Sequence, residues 1–419
     1  MTARLAPPYT TPRLKRTPAA TKRDRPEAHV IGAAHTRFGE MWEKSYRDLM
    51  TEAGLAALQD AGVTGDEIDA VFVGTMSAGK LVGQEHIAPL LLDGAGLADR
   101  HLPATRVEAA GASGGVAFRQ AVQLIRSGSA DIVVVGGIEK MTDVSDADAQ
   151  AIASAGIDQE WEHFFGATDA ALHALMAKRH MAEFGTSRDD LAQVAVKNHA
   201  HGAKNPLAQF RRAIDADTVL RAPVVADPLT MFDCAPLSDG AACVVLASST
   251  VVDSYRTDAV AVTGSGQASD TLALHSRETY TTLRATEQAA RRAYAEAGVS
   301  AADVQVAEVS DAYTIAEILA IEDLGFVKKG QGGPATREGR TTFGGDLAVV
   351  NPSGGLKARG HPAGATGIAQ VCEIVWQLRG VAGERQVKDA KVGVTHVVGG
   401  TGATAVVHVL EARRPGGEA

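Results

Sequence analysis

The sequence is poor in cysteine, in aromatic residues and in positive charge, and each shortage removes a class of protein. Cys234, Cys243 and Cys372 are the only cysteines in 419 residues, too few and too scattered for a disulfide framework or a zinc site. All three lie among apolar or small residues, which reads as inert thiols buried in a protein of a reducing, cytoplasmic compartment. No apolar run approaches the roughly 18 residues that a membrane span requires. A net charge of -9 argues against nucleic acid or an anionic membrane as partner. Aromatics make up 5% of the chain, so the 45% hydrophobic fraction implies a core of Ala, Val, Leu and Ile, closely packed with the help of 44 glycines.

A chain of this length holds two core-sized domains or one large duplicated α/β unit. Its first residues differ from the rest: Arg4, Arg13, Lys15, Arg16, Lys22, Arg23 and Arg25 stand among Pro7, Pro8, Pro12, Pro18 and Pro26 with almost no acids. Residues 1–27 therefore read as a disordered basic tail able to touch an acidic partner. The alternative, an organelle transit peptide, is opposed by the prolines and the lack of serine. Residues 413–419 read as a loose polar tail.

Residues 29–38 read as a strand with a following loop. Ser45 and Asp48 form a capping-box pattern, followed by Tyr46, Leu49, Met50, Ala53, Ala57 and Leu58 at helical spacing; this predicts a helix to about Asp60, stopped at Gly62. A buried strand follows at 68–74. The strongest signal is an internal echo. Ser113-Gly114 opens a helix through about Arg126, and residues 131–135 form a strand ending in a Gly136-Gly137 turn. Thr366-Gly367 opens a helix through about Leu378, and residues 391–398 form a strand ending in a Gly399-Gly400 turn. Two matches in corresponding places predict a duplicated α/β core with helices on both faces of its apolar strands. Its halves are 28–142 and 226–412. The polar stretch 143–225 is a loop domain laid over them, with helices at 176–183 and 188–198. Helices at 286–297 and 315–324, a strand at 304–309 and a loop at 330–345 complete the second half.

Three stretches, in order, resemble the thiolase superfamily, and the likeness runs from about residue 29 to 412. They are Phe232-Asp233-Cys234-Ala235-Pro236-Leu237-Ser238-Asp239-Gly240-Ala241-Ala242, then Asn351-Pro352-Ser353-Gly354-Gly355 with Gly360-His361-Pro362-Ala363-Gly364-Ala365-Thr366-Gly367, then Thr395-His396-Val397-Val398-Gly399-Gly400-Thr401-Gly402. Gly83-Gln84-Glu85-His86, the run from Val135 to Thr142 and Val196-Lys197-Asn198-His199 are similar to its archaeal and sterol-carrier-protein-like branch. The resemblance implies an α/β thiolase fold, a duplicated five-layered αβαβα core with an inserted loop domain. It implies an acyltransferase-type enzyme of lipid metabolism whose substrate is a coenzyme A thioester, with no metal or redox cofactor. A homodimer or larger complex is implied, in several members beside a small OB-fold/zinc-ribbon partner protein.

The same resemblance assigns positions, and the chain departs at three of them. Gly111, after Val107-Glu108-Ala109-Ala110, stands where the nucleophilic cysteine is expected. Ser310-Asp311-Ala312-Tyr313 replaces a His-Asp-Ala-Phe-like tetrad, and Val397 replaces an asparagine after His396. His361 is the candidate that polarises a thioester carbonyl or activates a nucleophile, and His396 the candidate that joins it. Alternatively, one is a helix-leading loop residue and the other a satisfied core histidine. Tyr313 is a candidate phenolic acid or base, with Asp311 orienting a neighbour and Ser310 beside them. The alternative makes Tyr313 a Phe-sized packing residue and Asp311 the cap of the following helix. Ser113 reads as part of its turn rather than as a substitute nucleophile. Candidate cofactor contacts are Gly111 and Ser113 at an anion-favouring helix start, Gly399 and Gly400, and a Gly/Ser-rich turn with Gly264, Ser265 and Ser269. The acidic run 143–148 reads as a solvated loop.

Three functions remain open. One is a CoA-thioester enzyme that makes or breaks C–C bonds through an enolate, by retro-aldol cleavage or decarboxylation, with no acyl-cysteine. The second is a non-catalytic subunit paired with an active thiolase-like protomer. The third is acetyl-CoA C-acetyltransferase activity, for which position 111 offers no nucleophile.

Overall fold

The computed structural model describes residues 25–413, so the expected basic tail up to residue 24 and the end of the polar tail lie outside the described residues. The chain begins with β1 (Ala28–His35), α1 (Tyr46–Ala61), β2 (Ala70–Gly74), α2 (Ala78–Leu81), α3 (Ile87–Gly94) and β3 (Ala104–Val107). Next come α4 (Ser113–Arg126), β4 (Ile132–Glu139), α5 (Asp146–Ala153), α6 (Asp169–Phe184), α7 (Arg188–Gly202) and α8 (Ala216–Leu220). The chain goes on through β5 (Val224–Ala226), β6 (Leu229–Thr230), β7 (Gly240–Ser248), β8 (Val260–Ser269), α9 (Arg284–Ala297), β9 (Val306–Val309) and α10 (Thr314–Asp323); β7 pairs with β1 and β4, so the second half expected from residue 226 starts only after Ser248. It closes with α11 (Gly332–Arg337), β10 (Val349–Val350), α12 (Gly355–Arg359), α13 (Ala363–Arg379), β11 (Val392–Gly399) and β12 (Thr404–Ala412).

The strands join in the order β10-β9-β11-β12-β8-β1-β7-β4-β2-β3. Pairing of β1 with β8 is confined to His29–Ala261 and Val30–Val260, so two five-stranded sheets meet at a narrow seam. In one, β3, β2 and β4 are parallel, and β7 and then β1 are antiparallel. In the other, β10, β9 and β11 are parallel, and β12 and then β8 are antiparallel. The duplication read from the sequence is thus repeated strand for strand. Helices α4 and α13 lie between the sheets, sharing a core of Phe118, Val122, Ile368, Val371 and Ile374. Outside one sheet, α1 packs on Val71, Val73, Val134 and Val245; outside the other, α9 and α10 pack on Val309, Val394, Val407 and Val409. The layers are helix, sheet, helix, sheet, helix.

Local signals explain the elements. The Ser45–Asp48 capping box is formed, and α1 stops at left-handed Gly62, φ 70°. Four expectations are corrected. Gly136-Gly137 is no turn, because β4 runs on to Glu139; a Cβ on Gly137 would stand 2.4 Å from the Gly364 carbonyl oxygen, so glycine is there for close packing. Likewise Gly264, Ser265 and Ser269 lie in β8, not in a turn, with Gly264 and Gly266 letting the α9 backbone approach. The acidic run opens α5, where Ser145 accepts from the Asp148 N–H and the acids suit the positive helix end. Within the expected loop 330–345, residues 332–337 form α11. Among the described residues no helix is long and apolar enough to cross a membrane.

Candidate active site

The two central helices bring their lead-ins together. Before α4, Ala110 adopts φ 50°, unusual for a residue with a side chain, and Ser113 holds it there. The Ser113 Oγ donates to the Ala110 carbonyl at 2.6 Å and accepts the Ala109 N–H at 2.9 Å, so its proton is committed to the turn. A Cβ placed on Gly111 would stand 3.8 Å from Cε1 and 4.0 Å from Nε2 of His361, and 2.9 Å from the Val398 carbonyl oxygen. Position 111 therefore faces His361, from which it is separated by the space a side chain would fill.

His361 is fixed from the backbone outward. Gly360, at φ 113°, sits where a Cβ would meet Phe38, Gln209 and Ser238 within about 3.0 Å. The His361 N–H donates to Ser238 Oγ at 2.9 Å. Its Nδ1 is 2.7 Å from Thr366 Oγ1, which is itself 3.1 Å from the Pro362 carbonyl. One hydroxyl proton serves both contacts only if Thr366 donates to Pro362 and accepts from Nδ1–H. Nε2 is then a bare lone pair, 4.0 Å from where a Cβ at position 111 would stand. Burial pushes the imidazole down to about 4, against the attraction of Asp169 and with the help of Arg359, so it is neutral at pH 7. Of the two expected roles, that of base matches this tautomer. Polarising a carbonyl would need the proton on Nε2.

The tetrad 310–313 divides its labour. Ser310 Oγ accepts the Val398 N–H at 3.1 Å and so fixes the strand end whose carbonyl borders position 111. Asp311 is a correction. Its buried carboxylate accepts from the Leu356 and Lys357 N–H groups and from Asn198 Nδ2, which caps α12 rather than the helix that follows it. Burial and the neighbouring Glu317 push it up to about 7. Tyr313 stacks on His173 of α6, ring centroids 4.2 Å apart at 27°, and its backbone pairs with Cys234. Burial and the charge of Asp169 raise its phenol well above the ordinary value.

His396 is also corrected. Strand alternation turns Val397 toward Val116 and α4, so the His396 ring lies on the opposite face of β11, under α9, with Nε2 2.9 Å from Thr286 Oγ1. His361, at the mouth of α13, belongs to the other side of that sheet. Gly264 and Ser265 are likewise buried in β8, where Ser265 Oγ meets His408 Nδ1 at 3.1 Å, while Ser269 ends the strand paired with Thr404. Gly399 and Gly400 do border the site: their absent side chains make room for the Ala109 and Gly156 carbonyls. The thiols stay apart from His361. Cys234 donates to the Thr230 carbonyl and burial pushes it up to about 12, and Cys372 donates to Ala34 and Cys243 carbonyls.

Sequence reasoning missed Asp169 and His173, one helical turn apart at the start of α6, although Thr168 followed by an acid and then a histidine at i+4 marks a capped first turn facing one way. Beside them a cavity of about 410 Å³ is lined by Trp161, Phe165, Leu172, Leu175, Leu274 and Tyr280. At its wall the Glu162 carboxylate accepts the Leu274 N–H.

Residues 28–250 match the thiolase N-terminal domain and residues 266–412 the thiolase C-terminal domain. The chain belongs to the thiolase family. This thiolase-family chain is 53% identical to the acetyl-CoA acetyltransferase of Methanothermobacter thermautotrophicus, over 91% of this chain and 98% of that one. It is 35% identical to the benzoylsuccinyl-CoA thiolase subunit BbsB of Thauera aromatica, over 89% and 95%. Among solved structures it superposes on an Ltp2-ChsH2(DUF35) aldolase with a TM-score of 0.79 at 25% identity, covering 93% of this chain and 98% of that one. The human mitochondrial 3-ketoacyl-CoA thiolase in complex with CoA shares the thiolase fold, with a TM-score of 0.70 at 17% identity over 93% and 98%.

Proposed function

We propose that this protein acts on a CoA thioester by forming its enolate, making or breaking the bond between Cα and Cβ without an acyl-enzyme. The carrying observation is the pairing of a bare His361 Nε2 with glycine at position 111. A covalent acyl transfer needs a nucleophile there. An enolate route needs only a base within reach of Cα and donors for the oxyanion, and position 111 stands in the turn leading into α4, where the positive end of the helix favours such an anion. His361 exchanges the Cα proton, and Ser310 positions the Val398 carbonyl that borders the space. Gly399 and Gly400 let the Ala109 and Gly156 carbonyls close in beside position 111, and the aromatic-lined cavity next to α6 takes the apolar acyl part.

The aldolase name of the relative with TM-score 0.79 supports retro-aldol cleavage or its reverse over decarboxylation. The acetyltransferase name of the 53% identical relative supports the CoA-thioester substrate class, but that reaction would have to proceed here without a side chain at position 111. Two relatives are named as a complex and as a subunit, which supports a partner protein; the OB-fold/zinc-ribbon kind, or a second copy of this chain, is what the family resemblance implies for it. The test is α-proton exchange of acetyl-CoA in D₂O: deuterium enters the acetyl group with wild-type protein, and His361→Ala lowers the rate about 10²–10⁴-fold. Failure of the wild type to exchange this or a longer acyl-CoA, with or without a co-purified partner, removes the reading.

A further inference from the structure

Resting on that reading, we propose that His173 is a second acid–base residue of the site, serving the β-oxygen of a β-hydroxyacyl thioester, with Asp169 and Tyr313 as its positioning residues. The geometry begins with the tautomer. His173 Nδ1 lies 2.9 Å from the backbone carbonyl of Asp169, an oxygen that only accepts, so Nδ1 carries the proton. In the neutral ring Nε2 is then the bare nitrogen, and among the described residues no hydrogen-bond partner occupies it. The Asp169 carboxylate is 3.4 Å from Nδ1, ready to stabilise an imidazolium, and the Tyr313 ring stacked at 4.2 Å fixes the plane of the imidazole.

A merely structural role explains this arrangement poorly. Asp169 is turned inward at the first turn of α6, with its Oδ1 buried and without a hydrogen bond. It is held below the usual carboxylate range although burial opposes this, through His173, Tyr313 and His361 around it. Tyr313, stacked on His173, ends the tetrad whose Ser310 holds the Val398 N–H beside position 111, and the charge of Asp169 acts on His361 as well, which ties His173 to the same site. Leu172 and Leu175, on the same helix α6 as His173, line the aromatic cavity, so the helix that carries His173 also forms a wall of the space offered to the acyl part.

The step balances as follows. His173 Nε2 takes the proton of the β-hydroxyl as the O–H pair becomes the second bond of a carbonyl. The Cα–Cβ bond breaks, and its electron pair remains on Cα as the thioester enolate. Cα takes a proton from His361, which has drawn one from water, while His173 returns one to water. The products are an aldehyde or ketone and a shortened acyl-CoA, with no redox change.

The experiment uses 3-hydroxy-3-phenylpropionyl-CoA and 3-hydroxybutyryl-CoA as probes with the full-length protein, reading aldehyde and acetyl-CoA release. His173→Phe, which keeps the stack on Tyr313, is expected to lower kcat about 100-fold or more with KM within about three-fold. If that variant does not fold, His173→Gln carries the same expectation, and added imidazole is expected to restore part of the rate to His173→Ala. Asp169→Asn is expected to lower kcat less and to move the acid limb of the pH profile. Wild-type α-proton exchange of acetyl-CoA separates the two ideas: its absence removes the enolate reading. Exchange without cleavage of either probe, or cleavage by His173→Phe within about three-fold of wild type, overturns the role of His173 and leaves that reading standing.

Discussion

The two halves of the molecule repeat one topology and differ in what they bring to the site. In each, three parallel strands are followed by two antiparallel ones, and a buried helix connects the outermost parallel strand to the third one across the strand between them. The α13 half ends its lead-in with His361, whereas the α4 half ends its lead-in with Gly111. The first half contributes anchorage instead. Its strand β4 continues past the glycines to Glu139, whose buried carboxylate accepts the Met76, Ser77 and Gly364 N–H groups and the Thr75 hydroxyl. Glu139 thereby ties the first turn of α13 to the opposite half. The same scaffold, used twice, carries the proposed base in one copy and its brace in the other.

Substitutions can break or sharpen that contrast, and His361→Ala is expected to have the largest effect, a loss of about 10²–10⁴-fold in α-proton exchange with little change in melting temperature. Gly111→Cys should make the halves chemically equivalent. Its Cβ must move a few tenths of an ångström from the Val398 carbonyl, and its thiol would then lie beside a base. The expected result is an acetylated protein on mixing with acetyl-CoA, seen by intact mass, at the expense of deuterium exchange. Gly137→Ala tests the brace: the new methyl meets the Gly364 carbonyl, and overpacking of this kind costs about 1–3 kcal/mol by chemical denaturation.

The pH dependence of stability separates the core imidazoles from the proposed base. Burial lowers His35, His201, His396 and His408 to about 3, so the folded state stays unprotonated where the unfolded chain, near 6.5, takes up protons. Stability is therefore complete above about pH 6.5 and falls as the pH drops toward 3, by about 1.4 kcal/mol per pH unit for each such histidine. His396→Gln should flatten that slope by one histidine's share and leave kcat within about three-fold. The smallest effect is that of Ser310→Ala, which removes one hydrogen bond to the Val398 N–H and costs about 1 kcal/mol.

What the sequence made legible followed from local chemistry. The Ser45 capping box, the helix opened by Ser113 and the paired helix–strand echoes depend on neighbours in the chain, and the folded structure keeps them. Residues whose role depends on distant partners were not legible. Gly137 and Gly264 resemble turn signals, yet they are strand positions where another element's backbone comes close, a fact set by α13 and α9, and Gly136 makes room for the Met50 side chain of α1. His396 sits in a family-like motif, but the pleat of β11 decides which face its ring takes. Asp169 and His173 carry no motif, and only the stacking of Tyr313, some 140 residues later in the chain, gives them a direction.

Mixing wild-type protein with acetyl-CoA in D₂O, while following both the acetyl group and the intact protein by mass spectrometry, tests the central claim most directly. The account predicts deuterium in the acetyl group and no acetyl mass gained by the protein. An acetylated protein, or an acetyl group that gains no deuterium, would contradict it.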